Sequence, residues 1–384
     1  MKEYNSNMKV VLIGGHLSPA LAVIDALPKE IEVVFIGRKH ATEGEEKESF
    51  EFKTITAKGI PFFNLVTGRL QRSFSTHSLR SLGKIPGGFS MTYQILKEQK
   101  PHVVVSFGGY LSVPVCFVAK TLHIPVIIHE QTLRAGLANK VTAKVASKIC
   151  LSWEDSQPFF PKKKSIVTGN PIRKEITDVA LLPKKTNLFP TLYITGGSTG
   201  SHIINESVKK ILPQLLEKYI IYHQAGNVKG YTSFDDLNLI KAALPHVLQE
   251  RYFLTDHYPS YESAAIMHKA DIVISRSGIN TVTELLYLNK PAILIPLLFG
   301  QHNEQEINAQ FLQKAGLGNV ILQKDVTSEL LLSQIRQMFA SINTYTLKHD
   351  MQQNERNMHA AEKLVEVILH VASNPISQKT HPAS

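Results

Sequence analysis

The residues with the most chemical promise in this sequence sit in short glycine turns between apolar runs and helical patterns. In Leu192–Ser201, glycines 196, 197 and 200 surround Ser198 and Thr199, ahead of a helical stretch with Ile203, Ile204, Val208 and Ile211 on one face. Unpaired N–H groups at such a turn, reinforced by the partial positive charge of a helix N-terminus, suit a phosphate. The turn is neither a P-loop, since no Gly-Lys-Ser/Thr follows, nor G-x-G-x-x-G. An earlier turn, Gly14-Gly15-His16, precedes Ser18 and Pro19, which suit the N-cap and first position of a helix. Alone, a Gly-Gly pair there is more often turn geometry than a ligand loop.

Two further segments could read a nucleoside and a sugar. After an apolar run, Ser277-Gly278 opens a helical stretch containing Ile279, Asn280, Thr281, Val282, Thr283 and Glu284. A carboxylate one turn into that helix could accept both hydroxyls of a ribose, or merely complement the helix dipole. His302, Glu304, Gln305 and Asn308 cluster after the next apolar run, as sugar-reading groups or as a solvated helix face. In the first half, Gly108, Gly109, Tyr110, Ser112, His129, Glu130 and Gln131 fall at the ends of apolar runs. His129 beside Glu130 is a candidate acid/base pair, although a single His at a strand end is more often structural.

These residues need sheets to place them. Val10–Ile13, Val33–Ile36, Val103–Ser106 and Pro125–His129 read as strands alternating with helices, and the pattern restarts with Leu192–Thr195, Ile220–His223, Asp271–Ser275 and Ala292–Pro296. Unbroken apolar strands alternating with helices imply parallel, doubly wound sheets covered on both faces. The stretch 168–190, with prolines at 171, 183 and 190, has no clear period and is the expected junction. A ligand is expected in a cleft between the two halves, at the carboxyl ends of the strands.

Composition bounds the possibilities. A chain of 384 residues exceeds the usual size of one core, and 43% hydrophobic with 19% charged residues suits a packed protein. Two cysteines, Cys116 and Cys150, disfavour a disulfide framework or a Cys-based zinc site. The start does not read as a signal peptide and no apolar run reaches bilayer length, so a cytoplasmic location is expected. The net charge of +10 suggests an anionic partner. From 52 to 97 there is no acidic residue, and Lys53, Lys58, Arg69, Arg72, Arg80, Lys84 and Lys97 interleave with Ile60, Phe62, Phe63, Leu65, Leu70, Phe74, Leu79, Leu82 and Phe89. That mixture suits contact with an anionic membrane surface, against the alternative of a solvated face over ordinary core. No nucleic-acid module is recognisable, so nucleic acid is not an expected partner.

Taken together and in order, the segments SFGGYLSVP, IHEQTLRAGLANK, GNPIR, GGSTG with Asn205, HQAG, SRSGINTVTELL and HNEQEINA resemble the MurG family of bacterial UDP-N-acetylglucosamine transferases, from about Val10 to Ala315. The resemblance implies an α/β, GT-B architecture of two Rossmann-like domains. It implies a peripheral enzyme on the cytoplasmic face of the plasma membrane that converts lipid I to lipid II in peptidoglycan synthesis. By position it implies donor contacts for UDP-GlcNAc at Gly14, Gly15, Thr132, Arg173, Gly197, Ser198, the run Ile279, Asn280, Thr281, Val282, Thr283 and Glu284, and Gln305. His16, Tyr110 and Asn205 fall on the acceptor side, and the base is sought among His16, His129 and Glu130, with His16 first. No Asp-x-Asp pair is present, so neither a metal nor another cofactor is expected. The expected domains are 8–172 for acceptor and membrane, 186–345 for the UDP-sugar, a helix at 346–372 returning to the first domain, and a disordered tail at 374–384. Implied partners are UDP-GlcNAc, the undecaprenyl-diphosphate-linked acceptor, the anionic membrane and other cell-wall enzymes. Two departures stand out. Leu12-Ile13 precede Gly14-Gly15-His16, so the family's leading glycines and usual Thr are missing and the first loop is shortened, and Thr132 replaces the usual Asn after His-Glu-Gln. Two rivals follow from them: a related GT-B transferase with another lipid acceptor, and a nucleotide-sugar-binding scaffold without transfer.

Overall fold

The computed structural model describes residues 8–40, 48–68, 83, 85–183, 188–197, 199–226, 230–298, 303–348 and 356–374. Ser198, His302, Leu70, Phe74, Leu79, Leu82 and the tail beyond 374 therefore lie outside the described residues. The chain divides into two compact units, one of Met1–Pro171 with Arg356–Ser384 and one of Ile172–Glu355.

In the first unit the described strands are β1 (Lys9–Ile13), β2 (Glu32–Gly37), β3 (Phe62–Asn64), β4 (Val103–Ser106), β5 (Val126–Glu130), β6 (Lys148–Leu151) and β7 (Ser165–Val167). Every pairing is parallel, in the order β3-β2-β1-β4-β5-β6-β7. Side chains alternate across a strand, and the core divides accordingly. Val11 and Ile13 join Ile36, Val104 and Ile128 on one face, beneath helices α3 (Ile85–Gln99) and α4 (Ser112–Thr121). Val10 and Leu12 join Phe35, Val103 and Ile127 on the other, beneath α1 (Leu17–Ala26) and a helix at Ala360–Ser373 that contributes Leu364, Ile368 and Leu369. Both faces are covered, so β1 and β4 are apolar at every position except Lys9 and Ser106 at their ends. Helices α2 (Phe50–Ala57) and α5 (Leu137–Thr142) complete the connections used below.

The second unit opens with α6 (Lys174–Ala180) and repeats the plan with β8 (Thr191–Thr195), β9 (Ile220–Gln224), β10 (Tyr252–Thr255), β11 (Ile272–Ser275), β12 (Ala292–Leu294) and β13 (Gly318–Val320). The order is β10-β9-β8-β11-β12-β13, again parallel. Helix α7 (His202–Lys209) presses Ile204 and Val208 onto Leu192, Ile194 and Ile221. In both sheets the strand order reverses beside the first strand, between β1 and β4 and between β8 and β11, which is where open α/β sheets gather ligands.

Several expectations need correction. Helix α1 begins at Leu17, with His16 as its extended flanking residue, so Ser18 is not the N-cap and Pro19 is the third helical residue. Proline is tolerated there because first-turn N–H groups have no helical partner. The stretch 168–190 is not without period, since α6 buries Ile176 and Val179 within it. Within 52–97, Leu65, Ile95 and Leu96 belong to the core and Ile60, Phe62, Phe63 and Phe89 pack against it, so these apolar residues serve folding. Both cysteines are buried free thiols. Among the described residues no helix is long and apolar enough to cross a membrane.

Candidate active site

The turn after β8 is built by close approach. A Cβ on Gly196 would lie 2.2 Å from the Ser201 nitrogen, and one on Gly200, where φ is +80°, would lie 2.1 Å from the Ala225 carbonyl oxygen. Backbone meets backbone there, so only glycine fits. Gly197 differs: its φ is +85° but its Cβ direction is open. Its N–H donates to Thr195 Oγ1 at 3.1 Å, and its carbonyl accepts from Gln224 Nε2 at 3.0 Å. Gln224 Oε1 in turn accepts from Tyr258 N at 3.1 Å, which ties the turn to the neighbouring strand end. The turn leads into α7, so it presents an open, donor-rich edge suited to a phosphate.

Asn205 faces inward from α7. It is fully buried; Nδ2 donates to the Ala225 carbonyl at 3.0 Å, and Oδ1 pairs with His223 Nε2 at 3.1 Å. Because the Asn205 amide nitrogen is committed to Ala225, His223 must donate from Nε2 and accept at Nδ1 from the Tyr252 hydroxyl, 2.9 Å away. Burial pulls the His223 pKa down to about 3, keeping the ring neutral. Asn205 therefore supports the glycine turn from beneath.

Helix α12 (Ile279–Tyr287) starts after Gly278 beside β11. Ile279, Val282 and Thr283 point into the unit, with Thr283 Oγ1 donating to the Ile279 carbonyl, so their side chains are packing groups. Asn280 and Thr281 are only part-buried. Glu284 is gripped by Arg173 through Nε to Oε1 at 2.7 Å and Nη2 to Oε2 at 3.0 Å, while Arg173 Nη1 donates to the Ser260 carbonyl and Ser263 Oγ. Burial alone would lower the Arg173 pKa, but the facing carboxylate more than offsets it and holds the guanidinium charged. The two residues assigned separately as donor contacts are thus partners of each other. Gln305, in the helix α13 (Glu304–Lys314), accepts from Leu297 N through Oε1 at 3.0 Å, and its carbonyl accepts from Ser277 Oγ.

Arg276 had not been singled out. Its Nη1 donates to the Ile295 carbonyl at 3.0 Å, and it forms no ion pair with a carboxylate among the described residues. Partial burial draws its pKa down to about 10. A cation at the carboxyl end of β11 without a facing acid favours an anionic ligand. An arginine directly after an apolar strand, Ser-Arg-Ser-Gly, was the available signal.

In the first unit two glycine turns lie back to back at the strand reversal. A Cβ on Gly15 would meet the Gly108 carbonyl oxygen at 2.4 Å, and one on Gly109, φ +77°, would meet the Gly15 Cα at 3.1 Å. This packing brings His16 beside Gly108 and Asn139. Desolvation lowers the His16 pKa to about 4, so its imidazole is neutral at physiological pH. Tyr110 stands nearby, its ring under the Arg38 guanidinium at 5.6 Å.

His129 and Glu130 are placed differently. The His129 ring is fully buried, Nε2 lies 3.3 Å from the Gly169 carbonyl and 3.2 Å from Ser152 Oγ, and burial lowers its pKa to about 4. Glu130 Oε1 accepts from Thr132 N at 3.0 Å and Thr132 Oγ1 at 2.7 Å, and Oε2 from Gly136 N at 2.9 Å and Asn139 Nδ2 at 3.0 Å. These contacts hold the carboxylate within the loop. Thr132 is likewise turned inward, its hydroxyl held between Glu130 and the Arg134 carbonyl. All three side chains are engaged by neighbours within the unit. The same network orients Asn139, another residue not singled out, whose Oδ1 has no partner among the described residues.

Comparison with known proteins fits this geometry. Residues 13–151 match the glycosyltransferase family 28 N-terminal domain and residues 191–366 the glycosyltransferase family 28 C-terminal domain. A protein of Lachnoclostridium phytofermentans is 32% identical over 374 residues, covering 94% of this chain and 99% of its own. One of Clostridium kluyveri is 35% identical over 355 residues, covering 88% and 94%. Both are named UDP-N-acetylglucosamine–N-acetylmuramyl-(pentapeptide) pyrophosphoryl-undecaprenol N-acetylglucosamine transferase. The crystal structure of Acinetobacter baumannii MurG superposes with a TM-score of 0.66 at 25% identity, over 94% of this chain and 99% of that one.

Proposed function

The chain belongs to the MurG line of glycosyltransferase family 28, and from that premise we propose that it transfers N-acetylglucosamine from UDP-GlcNAc to lipid-linked N-acetylmuramyl-pentapeptide, making lipid II from lipid I. The observation that carries this reading is near full-length identity above 30% to relatives named for that reaction. The C4 hydroxyl oxygen of the acceptor attacks the anomeric carbon, the bond from that carbon to the diphosphate oxygen breaks, and UDP departs with the electron pair. Inversion yields a β-linkage. In this reading His16, a neutral imidazole beside Gly108, takes the hydroxyl proton.

The leaving diphosphate gathers negative charge, which fixed dipoles and cations stabilise most effectively. The Gly196–Gly200 turn with the α7 N-terminus, together with Arg276, supplies them in this reading, and Glu284 reads the ribose once Arg173 shares it. No metal is required, because the sequence offers no Asp-x-Asp pair and the protein's own positive groups meet the charge. The enzyme works at the cytoplasmic membrane face, where its acceptor is anchored, with the basic 52–97 region as the lipid-facing contact. The test is UDP release by purified protein from UDP-GlcNAc, UDP-glucose or UDP-galactose, with and without a soluble lipid I analogue. Release that needs both UDP-GlcNAc and the analogue supports the proposal. Tight UDP binding without acceptor-dependent release sinks the acceptor assignment.

A further inference from the structure

Glu51, near the start of α2, places its carboxylate directly over the first glycine turn. Oε2 accepts from Arg38 N at 3.2 Å. A Cβ on Gly14 would lie 2.1 Å from Oε1, and one on Gly37 would lie 2.5 Å from Oε2 and 2.8 Å from Phe62 Cζ. The two glycines thus leave the room that the carboxylate occupies. Gly14 N meanwhile donates to the Ile36 carbonyl at 2.9 Å, so the turn's first N–H is also engaged within the unit. Helix α2 is itself anchored, with Ser49 Oγ accepting from Phe52 N at 3.0 Å and donating to the Arg38 carbonyl at 2.6 Å.

We propose that Glu51 is a positioning residue for transfer: its carboxylate fills the anion-receptive side of the Gly14–Gly15 turn and fixes the backbone that carries His16. The turn consequently does not receive a substrate phosphate, which would collide with the Glu51 carboxyl group packed against Gly14. Burial raises the Glu51 pKa, and the Arg38 N–H and nearby guanidinium oppose that rise; the same guanidinium faces the Tyr110 ring, which links this anchor to the acceptor side. The shortened loop also becomes intelligible. With the family's leading glycines missing and Leu12 and Ile13 completing β1, the remaining turn packs against an internal carboxyl group.

The inference rests on the transferase reading, and Glu51→Gln tests it with readouts that separate the two. The amide keeps the volume but offers one acceptor oxygen where the carboxylate offered two. Expected are a fall in kcat of about tenfold or more, an acceptor KM within about threefold of wild type, and UDP affinity within about twofold. Amide hydrogen exchange of the peptide spanning residues 9–17 should quicken by about tenfold or more. Gly37→Ala, which pushes on the carboxylate while leaving it charged, should reproduce both effects. A lowered acceptor KM with kcat intact in Glu51→Gln would show that the turn seats a phosphate and overturn the inference. So would unchanged exchange of the 9–17 peptide. Should wild-type protein transfer nothing to the lipid I analogue, the transferase reading fails by itself, and the exchange measurement still decides the role of Glu51.

Discussion

Replacing Glu284 with Ala strips the buried Arg173 guanidinium of its charged partner. The side chains are 15% and 9% exposed, and the pair makes two short parallel hydrogen bonds, so each charge has exchanged most of its water for the other. Without the carboxylate, Arg173 keeps only the Ser260 carbonyl at 3.1 Å and Ser263 Oγ at 3.3 Å. Removing one member of such a pair costs about 3–5 kcal/mol, because the survivor is left charged and desolvated. Replacing both with apolar groups, Arg173→Met with Glu284→Leu, should cost at least about 1.5 kcal/mol less than Glu284→Ala alone. Hydrogen exchange of peptides in 260–287 reads the second unit, while fluorescence of the single tryptophan, Trp153, reads the first as an internal control. UDP titration should find both variants weakened by about tenfold or more, since the ribose-reading carboxylate is absent from each. The reasoning is refuted if the double variant is as unstable as the sum of its single changes, or if Glu284→Ala leaves exchange untouched.

His16→Ala should lower kcat by about a hundredfold or more while leaving UDP affinity within about twofold, measured by initial rates and calorimetry. Gly200→Ala would force a Cβ to 2.1 Å from the Ala225 carbonyl, so a loss of about 2 kcal/mol or more in second-unit stability, with loss of UDP binding, is expected from urea titration and exchange. His129 and His223 have folded pKa values near 4 and 3 against 6.5 for the free side chain. As pH falls through 6.5 the unfolded chain takes up these protons first, so the stability present above that pH should decline at up to about 1.4 kcal/mol per pH unit for each histidine. The decline should continue down to about pH 4 for His129 and about pH 3 for His223, and a urea midpoint that stays flat between pH 7.5 and 5 would contradict it.

The strands that position both glycine turns were legible because β1, β4, β8 and β11 are covered on both faces and so read as unbroken apolar runs. Strands β3, β6, β7, β10 and β13 escaped notice because three or four residues leave no periodic signal, and all but β6 end their sheets. At the site, the glycines after β8 were legible from their spacing. Which way a side chain points was not. Asn205, Thr132 and Glu130 are polar residues beside ligand-like turns, yet hydrogen bonds to Ala225, Arg134 and Asn139 turn them inward. Such pairings join residues up to 20 positions apart and follow from tertiary packing alone. The Arg173–Glu284 pair spans 111 positions, beyond any local pattern. Glu51 was hidden for the same reason, because only the folded chain brings α2 over the turn after β1.

The most direct test is the identity of the product. Purified protein, UDP-GlcNAc and a soluble lipid I analogue are incubated, and the saccharide is analysed by mass spectrometry and by proton NMR of its anomeric signal. A disaccharide with N-acetylglucosamine β-linked to the C4 oxygen of the muramyl unit is the expected result. No disaccharide, or one joined through an α-linkage or at another oxygen, would contradict the inverting transfer proposed for this chain.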